Sequence, residues 1–287
     1  MPAKTLDQMS DMRLAIISCA GELPKRLRDQ CIKDNIEHFI IAIKGICDPD
    51  LTEQADEVFP IGHFATAVKR MQQLQITHIV MAGHLVRPSL LDMRFDLSTL
   101  NLLRKHRNVL IGGDDTVLSR ISNYFEEVGF QVLGVTDIDP SLFAQQGLIA
   151  GPKPSQQVLD DIECGKNIYH QIASADIGQS FIMHQSSVLA VEAREGTDLM
   201  IARIAELKEK GRIRGRGKIG VLMKYQKPNQ DKRLDTPVIG LKTVENAAAA
   251  GLSTIAISAG NVIVMQYDDI IRYCNAQSIT LIGVDFT

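Results

Sequence analysis

Two stretches of this sequence gather side chains that can do chemistry. Val188–Ile201 reads V-L-A-V-E-A-R-E-G-T-D-L-M-I, an apolar run that stops at Glu192 and Glu195 before Gly196-Thr197-Asp198. Lys224–Gly240 reads K-Y-Q-K-P-N-Q-D-K-R-L-D-T-P-V-I-G, in which an apolar run ends in Lys224, Lys227, Lys232 and Arg233 and returns through Asp235, ahead of Thr236-Pro237. Carboxylates and lysines at strand ends suit a metal ion and a phosphorylated ligand. Glu192 or Glu195 offers oxygen to a hard cation. A helix starting at Thr197 exposes unpaired N–H groups and a partial positive charge, and Gly196 admits a phosphate to them. The lysines can neutralise charge that develops on phosphorus, and Asp235 can hold a metal or orient water. Plainer readings stand beside these. Thr197 and Asp198 serve equally as helix caps, and the lysine loop as a solvated connector with surface ion pairs.

Lesser groups follow. Gly112-Gly113-Asp114-Asp115-Thr116 opens a helix, where acids favour the dipole; Asp114 and Asp115 can also touch a sugar or a metal. Gly83-His84-Leu85-Val86-Arg87-Pro88 leaves a strand end, placing His84 and Arg87 where phosphate or sugar can be met. Lys208, Lys210, Arg212, Arg214, Arg216 and Lys218 recur at alternate positions, a patch for anionic headgroups or the solvated end of a helix. Ser18-Cys19-Ala20-Gly21-Glu22-Leu23-Pro24 sits where a dinucleotide-binding loop would be. With Gly21 alone it fails G-x-G-x-x-G, and no dinucleotide cofactor is expected; P-loop, G-x-S-x-G and H-E-x-x-H are also absent.

The elements that must position these residues alternate. Strands at Leu14–Ile17, His38–Ile43, Val58–Ile61 and Thr77–Ala82 are separated by helices near 23–34 and 64–74, with Cys47–Asp50 as a loop. Helices near 97–106 and 115–128 lead to a strand at Phe130–Val135. Such alternation predicts a parallel sheet with its ligand edge at the strands' carboxyl ends. Residues 18–24 and 83–88 fall on that edge. A polar stretch near 140–150 divides the chain. Beyond it come a helix at 154–174, a strand pair Ser180–His184 and Ser187–Ala193 around Gln185-Ser186, a helix at Thr197–Lys210 and a strand at Ile219–Met223. Short strands at 238–239, 254–258, 262–265 and 280–284 and helices at 243–250 and 267–276 complete it. The expectation is two α/β domains: residues 12–140, with a Rossmann-like parallel sheet, and residues 141–287, with a mixed sheet.

Composition narrows the function. The chain has 287 residues, 45% hydrophobic and 23% charged, with net charge −3 and no tryptophan. That balance argues against a nucleic-acid binder. Five scattered cysteines without C-x-x-C spacing argue against a disulfide framework or structural zinc and fit a reducing cytoplasm. No signal stretch and no 18-residue apolar run is present.

With these residues assembled, the chain resembles the LpxI family, the UDP-2,3-diacylglucosamine pyrophosphatases of lipid A biosynthesis. The resemblance runs from about Leu14 to the end. It is carried by L-A-V-E-A-x-E-G-T-D (189–198), K-x-x-K-P (224–228), R-x-D-x-P-x-I-G (233–240) and L-I-G-V-D (281–285), and less specifically by G-E-L-P (21–24), A-G-x-x-x-R-P (82–88) and G-D-D-x-x-L (113–118). It implies magnesium-dependent hydrolysis of UDP-2,3-diacylglucosamine to 2,3-diacylglucosamine 1-phosphate and UMP, with Mn²⁺ or Co²⁺ as alternatives. It also implies two domains with a ligand groove between them, a homodimer, and a cytoplasmic protein in peripheral contact with the inner membrane. The family's essential aspartate matches Asp235, with Glu195 beside it as catalytic and metal-binding candidate. Gly21, Leu23, Pro24, Gly83, His84, Arg87, Asp114, Asp115, Gly196, Thr197, Asp198, Lys224, Lys227 and Arg233 are the substrate-binding candidates. Ser18-Cys19-Ala20, in place of a glycine-rich loop, and His84, in place of asparagine, depart from the family pattern. Another nucleotide-sugar enzyme, or a non-catalytic lipid- or nucleotide-binding protein, remains the competing reading.

Overall fold

The computed structural model describes residues 12–84, 94–105, 114–173, 177–213, 215, 217–228 and 231–286. The chain forms two compact units: residues 1–140 with Asp231–Asp235, and residues 141–230 with 236–287.

In the first unit the elements run β1 (Leu14–Ser18), α1 (Leu23–Lys33), β2 (His38–Ile43), α2 (Pro49–Glu53), β3 (Glu57–Phe59), α3 (Phe64–Gln73), β4 (His78–Ala82), α4 (Leu97–Lys105), α5 (Asp114–Glu127), β5 (Gln131–Leu133) and α6 (Val135–Ile138). The sheet order is β3-β2-β1-β4-β5 and every pairing is parallel. Leu14, Ala15 and Ile16 are fully buried, as continuous apolar strands covered on both faces require. The order reverses between β1 and β4, so the carboxyl ends of these two strands border the topological switch point.

In the second unit they run β6 (Gly147–Ala150), α7 (Gln156–Ile172), β7 (Ser180–His184), β8 (Ser187–Val191), α8 (Gly196–Glu209), β9 (Ile219–Lys224), β10 (Val238–Ile239), α9 (Leu241–Ala249), β11 (Leu252–Ser258), β12 (Ile263–Val264), α10 (Tyr267–Gln277) and β13 (Thr280–Val284). The main sheet, β6-β13-β11-β9-β7-β8, is mixed: β9, β11 and β13 are parallel, while β6, β7 and β8 pair antiparallel. The two-residue side-chain period of β9 divides the core. Val221 and Met223, followed by Tyr225, pack with Ile162 of α7. Leu222 packs with Met200, Ile201 and Ile204 of α8. Lys224 is the next residue on the α8 side.

Several elements depart from the sequence expectation. Pro49–Glu53 is a helix rather than loop, because Pro49 lies at its first turn, where a missing N–H costs nothing. The strand expected at Phe130–Val135 shortens to Gln131–Leu133, and Val135–Ile138 turns helical as the Asp137 carboxylate accepts the Gly134 N–H at 2.8 Å. β6 is a four-residue edge strand with Leu148 half exposed, too short and too mixed for a periodic signal. β10 and β12 form a separate two-stranded sheet.

The β7–β8 hairpin does form around Gln185 and Ser186, both with positive φ (50° and 59°). It is held from outside the sheet. The buried Asp161 of α7 accepts the Gln185 N–H at 3.1 Å and the Ser186 N–H at 2.7 Å.

Candidate functional site

At the switch point of the first unit, the loops after β1 and β4 are cross-linked. The His84 N–H donates to the Ala20 carbonyl at 2.9 Å, and the Ala20 N–H returns a bond to the His84 carbonyl at 3.3 Å. Gly83 has φ +93°, and a Cβ there would come within 2.5 Å of the Ala20 oxygen, so the approach demands glycine. Gly21 (φ +100°) donates its N–H to the Asp48 carboxylate at 3.1 Å. Leu23 starts α1, and Pro24 is buried in its first turn. Gly21, Leu23, Pro24, Gly83 and His84 therefore share one sheet edge. Arg87 lies outside the described residues. Asp114 and Asp115 begin α5, but their side chains are outside the description too.

Arg233 and Asp235 also belong to the first unit. The Arg233 guanidinium bonds to Asp231 at 2.8 Å, to Glu126 at 2.5 Å and to the Val132 carbonyl at 3.5 Å. Leu234 packs on the core behind β1 and β4. The Asp235 N–H donates to the Asp231 carbonyl at 3.1 Å, and its side chain is half-buried. Arg233 thus fastens its own segment in place. The Asp231 hydrogen bond, followed by that of Glu126, holds the guanidinium pKa well above its ordinary value, and Arg233 in turn holds the Asp231 carboxyl below the usual range.

The second unit brings Lys224 and Thr197 together. β7 and β9 pair with Ser180 opposite Lys224, and α8 starts alongside. Lys224 is only 7% exposed, and its Nζ donates to the Thr197 Oγ1 at 2.9 Å. The Glu192 Oε2 accepts from the Thr197 hydroxyl at 3.2 Å, from the Gln179 N–H at 3.2 Å and from the Ser180 hydroxyl. α8 starts at Gly196 with Glu195 at the N-cap position and no side-chain cap, so Thr197 lies inside the first turn and its hydroxyl serves this cluster. Gly196 has φ +81° with open space where a Cβ would stand; its glycine is needed for conformation, not clearance. The Asp198 carboxylate accepts from Thr243 of α9 at 3.2 Å. Glu195, just before α8, lies 3.2 Å from the Arg203 guanidinium, outside hydrogen-bond geometry, and its Oε1 is shielded from solvent with no donor. Lys227 is half-buried on the segment beyond β9. In the basic run, Lys208 binds the Gly217 carbonyl at 2.8 Å and Lys210 pairs with Glu206 at 2.5 Å, while Arg214 and Arg216 lie outside the described residues.

Two buried polar residues escape sequence reasoning, one in this cluster and one on the segment past β9. Ser180 opens a strand like any other serine; only the β7–β9 register sets it beside Lys224. Gln226, two positions past Lys224, is buried, and among the described residues neither amide atom has a hydrogen-bond partner.

Among the described residues, no three His, Cys, Asp or Glu side chains gather at metal-ligand spacing, and no helix is long and apolar enough to cross a membrane.

A parallel α/β unit with glycine loops at its switch point, and a mixed α/β unit with ammonium, hydroxyl and carboxylate at a helix start, define a two-unit α/β protein with polar groups gathered at strand ends. The chain belongs to the LpxI family. The model of the LpxI N-terminal domain matches residues 13–142 and that of the LpxI C-terminal domain residues 145–282. A relative from Caulobacter vibrioides, UDP-2,3-diacylglucosamine pyrophosphatase LpxI, is 30% identical over 273 residues, covering 95% of this chain and 98% of its own. Among solved structures, a Hydrogenobacter thermophilus 2-oxoglutarate carboxylase biotin carboxylase domain is 14% identical with a TM-score of 0.25, over 72% of this chain and 43% of its own, a likeness too slight to carry an argument.

Proposed function

We propose that this protein hydrolyses the pyrophosphate bond of UDP-2,3-diacylglucosamine, giving 2,3-diacylglucosamine 1-phosphate and UMP, a step of lipid A biosynthesis. The observation that carries the reading is the Lys224–Thr197 contact at the start of α8, inside the region matched by the LpxI C-terminal domain. In the reaction a water oxygen bonds to one phosphorus, the P–O bond to the bridging oxygen breaks, and that oxygen leaves with the electron pair. Negative charge builds on non-bridging and leaving oxygens. A lysine fixed by a hydroxyl meets that charge without reorganising, and amides of a helix start add donors directed the same way. Asp235 is assigned to orient the attacking water and accept its proton, and Lys227 to steady the diphosphate beside Lys224.

Mg²⁺ is the proposed cofactor, with Asp235 and Glu195 as its protein ligands. Glu195 Oε1 is shielded from solvent and faces the Arg203 guanidinium at 3.2 Å without a hydrogen bond, so a cation would take the carboxylate by exchanging that ion pair. Mg²⁺ is commonly held by one or two carboxylates and completed by water and substrate phosphates. When bound, it supplies Lewis-acid neutralisation of phosphoryl oxygens. We assign the protein to the cytoplasmic side, in peripheral contact with the inner membrane that carries its lipid substrate, and as a homodimer.

The test is release of UMP in the presence of Mg²⁺. UMP formed from UDP-2,3-diacylglucosamine and not from UDP-N-acetylglucosamine supports the reading. Release from the unacylated sugar nucleotide would favour another nucleotide-sugar enzyme, and binding without turnover would favour a carrier.

A further inference from the structure

We propose that Glu192 and Ser180 are positioning residues for Lys224, acting on it through Thr197. The inference rests on the reading of Lys224 as the group that neutralises phosphate charge.

Proton accounting orders the cluster, in which the Ser180 hydroxyl also lies 3.3 Å from the Thr197 Oγ1 and shares its one proton between that oxygen and Glu192. An ammonium only donates, so Thr197 accepts from Lys224 at 2.9 Å. A threonine hydroxyl has one proton, and the Glu192 Oε2 at 3.2 Å is a pure acceptor that takes it. The Ser180 hydroxyl and the Gln179 N–H, at 3.2 Å, donate to the same oxygen. Three donors converge on Glu192 Oε2, where a carboxylate oxygen offers about two lone-pair directions. This oxygen is therefore filled by the protein and is an anchor rather than a cation ligand. The carboxylate holds Thr197 with its lone pair turned outward, and that lone pair holds the ammonium.

Packing supports the same assignment. A Cβ on Gly178 would lie 2.4 Å from Glu192 Cγ and 2.5 Å from its Cβ, so Glu192 is pressed against bare backbone. Ser180 is the register partner of Lys224 on the adjacent strand, which sets anchor and cation side by side. Lys224 is only 7% exposed, and an ammonium withdrawn from water is stabilised by hydrogen-bonded, charged company such as this carboxylate.

The test combines kinetics with a spectrum that needs no turnover. In a ¹H–¹⁵N spectrum, the Lys224 ammonium should give a slowly exchanging resonance, assigned by its loss in Lys224→Met. That resonance should disappear or shift in Glu192→Gln and Thr197→Val and return in Thr197→Ser. kcat/KM should fall about 10- to 100-fold in Glu192→Gln and Thr197→Val, through kcat more than KM, the scale of one hydrogen bond to a charged group. Thr197→Ser should recover the greater part of the Thr197→Val loss. Gly178→Ala, which displaces Glu192 without changing a polar group, should shift the resonance in the same way. An unchanged resonance in folded Glu192→Gln and Thr197→Val overturns the proposal, as does Thr197→Ser falling as far as Thr197→Val. Full hydrolysis by Lys224→Met would instead remove the phosphate role of Lys224, and the spectrum would still decide whether Glu192 positions it.

Discussion

The Lys224 ammonium lies 2.9 Å from the Thr197 hydroxyl, although the two residues are 27 positions apart in the chain. One ends a central strand and the other begins a helix. Their meeting ties the lysine-rich segment to the carboxylate-rich one, and it gives the proposed phosphate-neutralising group a fixed position. Lys224→Met keeps most of the side-chain volume and removes the charge. The expected result is a loss of roughly 10²- to 10³-fold in kcat with fold stability retained, the scale of removing one preorganised electrostatic group. Initial rates of UMP release, alongside a thermal melt, check it.

Asp235 sits on the 231–235 segment, which Arg233 and Leu234 fasten to the first unit. A water-orienting role predicts that Asp235→Ala abolishes turnover and leaves substrate affinity largely intact. Single-turnover assays and calorimetric titration with UDP-2,3-diacylglucosamine separate the two quantities. Retained turnover in this variant would remove Asp235 from the reaction.

The Asp231–Arg233 pair carries a pH signature. Arg233 holds the folded-state pKa of Asp231 below its ordinary 3.8. A depressed carboxyl contributes stability that is present above the unfolded-state pKa and lost as pH falls through the folded value. Wild type should therefore lose stability as pH drops below about 4, and Asp231→Asn should lose less over the same interval. The pair is about one-third exposed, so the effect is modest and weakens with salt. Urea midpoints at pH 7 and pH 3 give the comparison; equal pH dependence in both proteins would contradict it.

Asp161 holds the β7–β8 turn through two backbone N–H groups at residues with left-handed φ. Asp161→Ala frees both donors and removes a charge-assisted clamp, at an expected cost of about 2–3 kcal/mol. β7 carries Ser180, so loosening the hairpin should also depress kcat. Chemical denaturation measures the first effect and UMP release the second. A stability change under about 0.5 kcal/mol, the ordinary surface range, would show the clamp to be dispensable.

The sequence by itself determined the alternating elements, the parallel first sheet, the mixed second one and the glycine-bearing loops at the strand ends, because side-chain period and turn residues are local signals. Those signals do not say which strand lies beside which. Ser180 became the neighbour of Lys224 only through antiparallel register, and Thr197 lies inside the first turn of α8, with Glu195 at the N-cap position, where its hydroxyl meets Lys224 and Glu192. Arg233 had the composition of a phosphate ligand; tertiary contacts with Asp231 and Glu126 gave it a fastening role. Tertiary structure decided these points because hydrogen bonds between residues distant in sequence depend on strand order and packing, which no window of sequence contains.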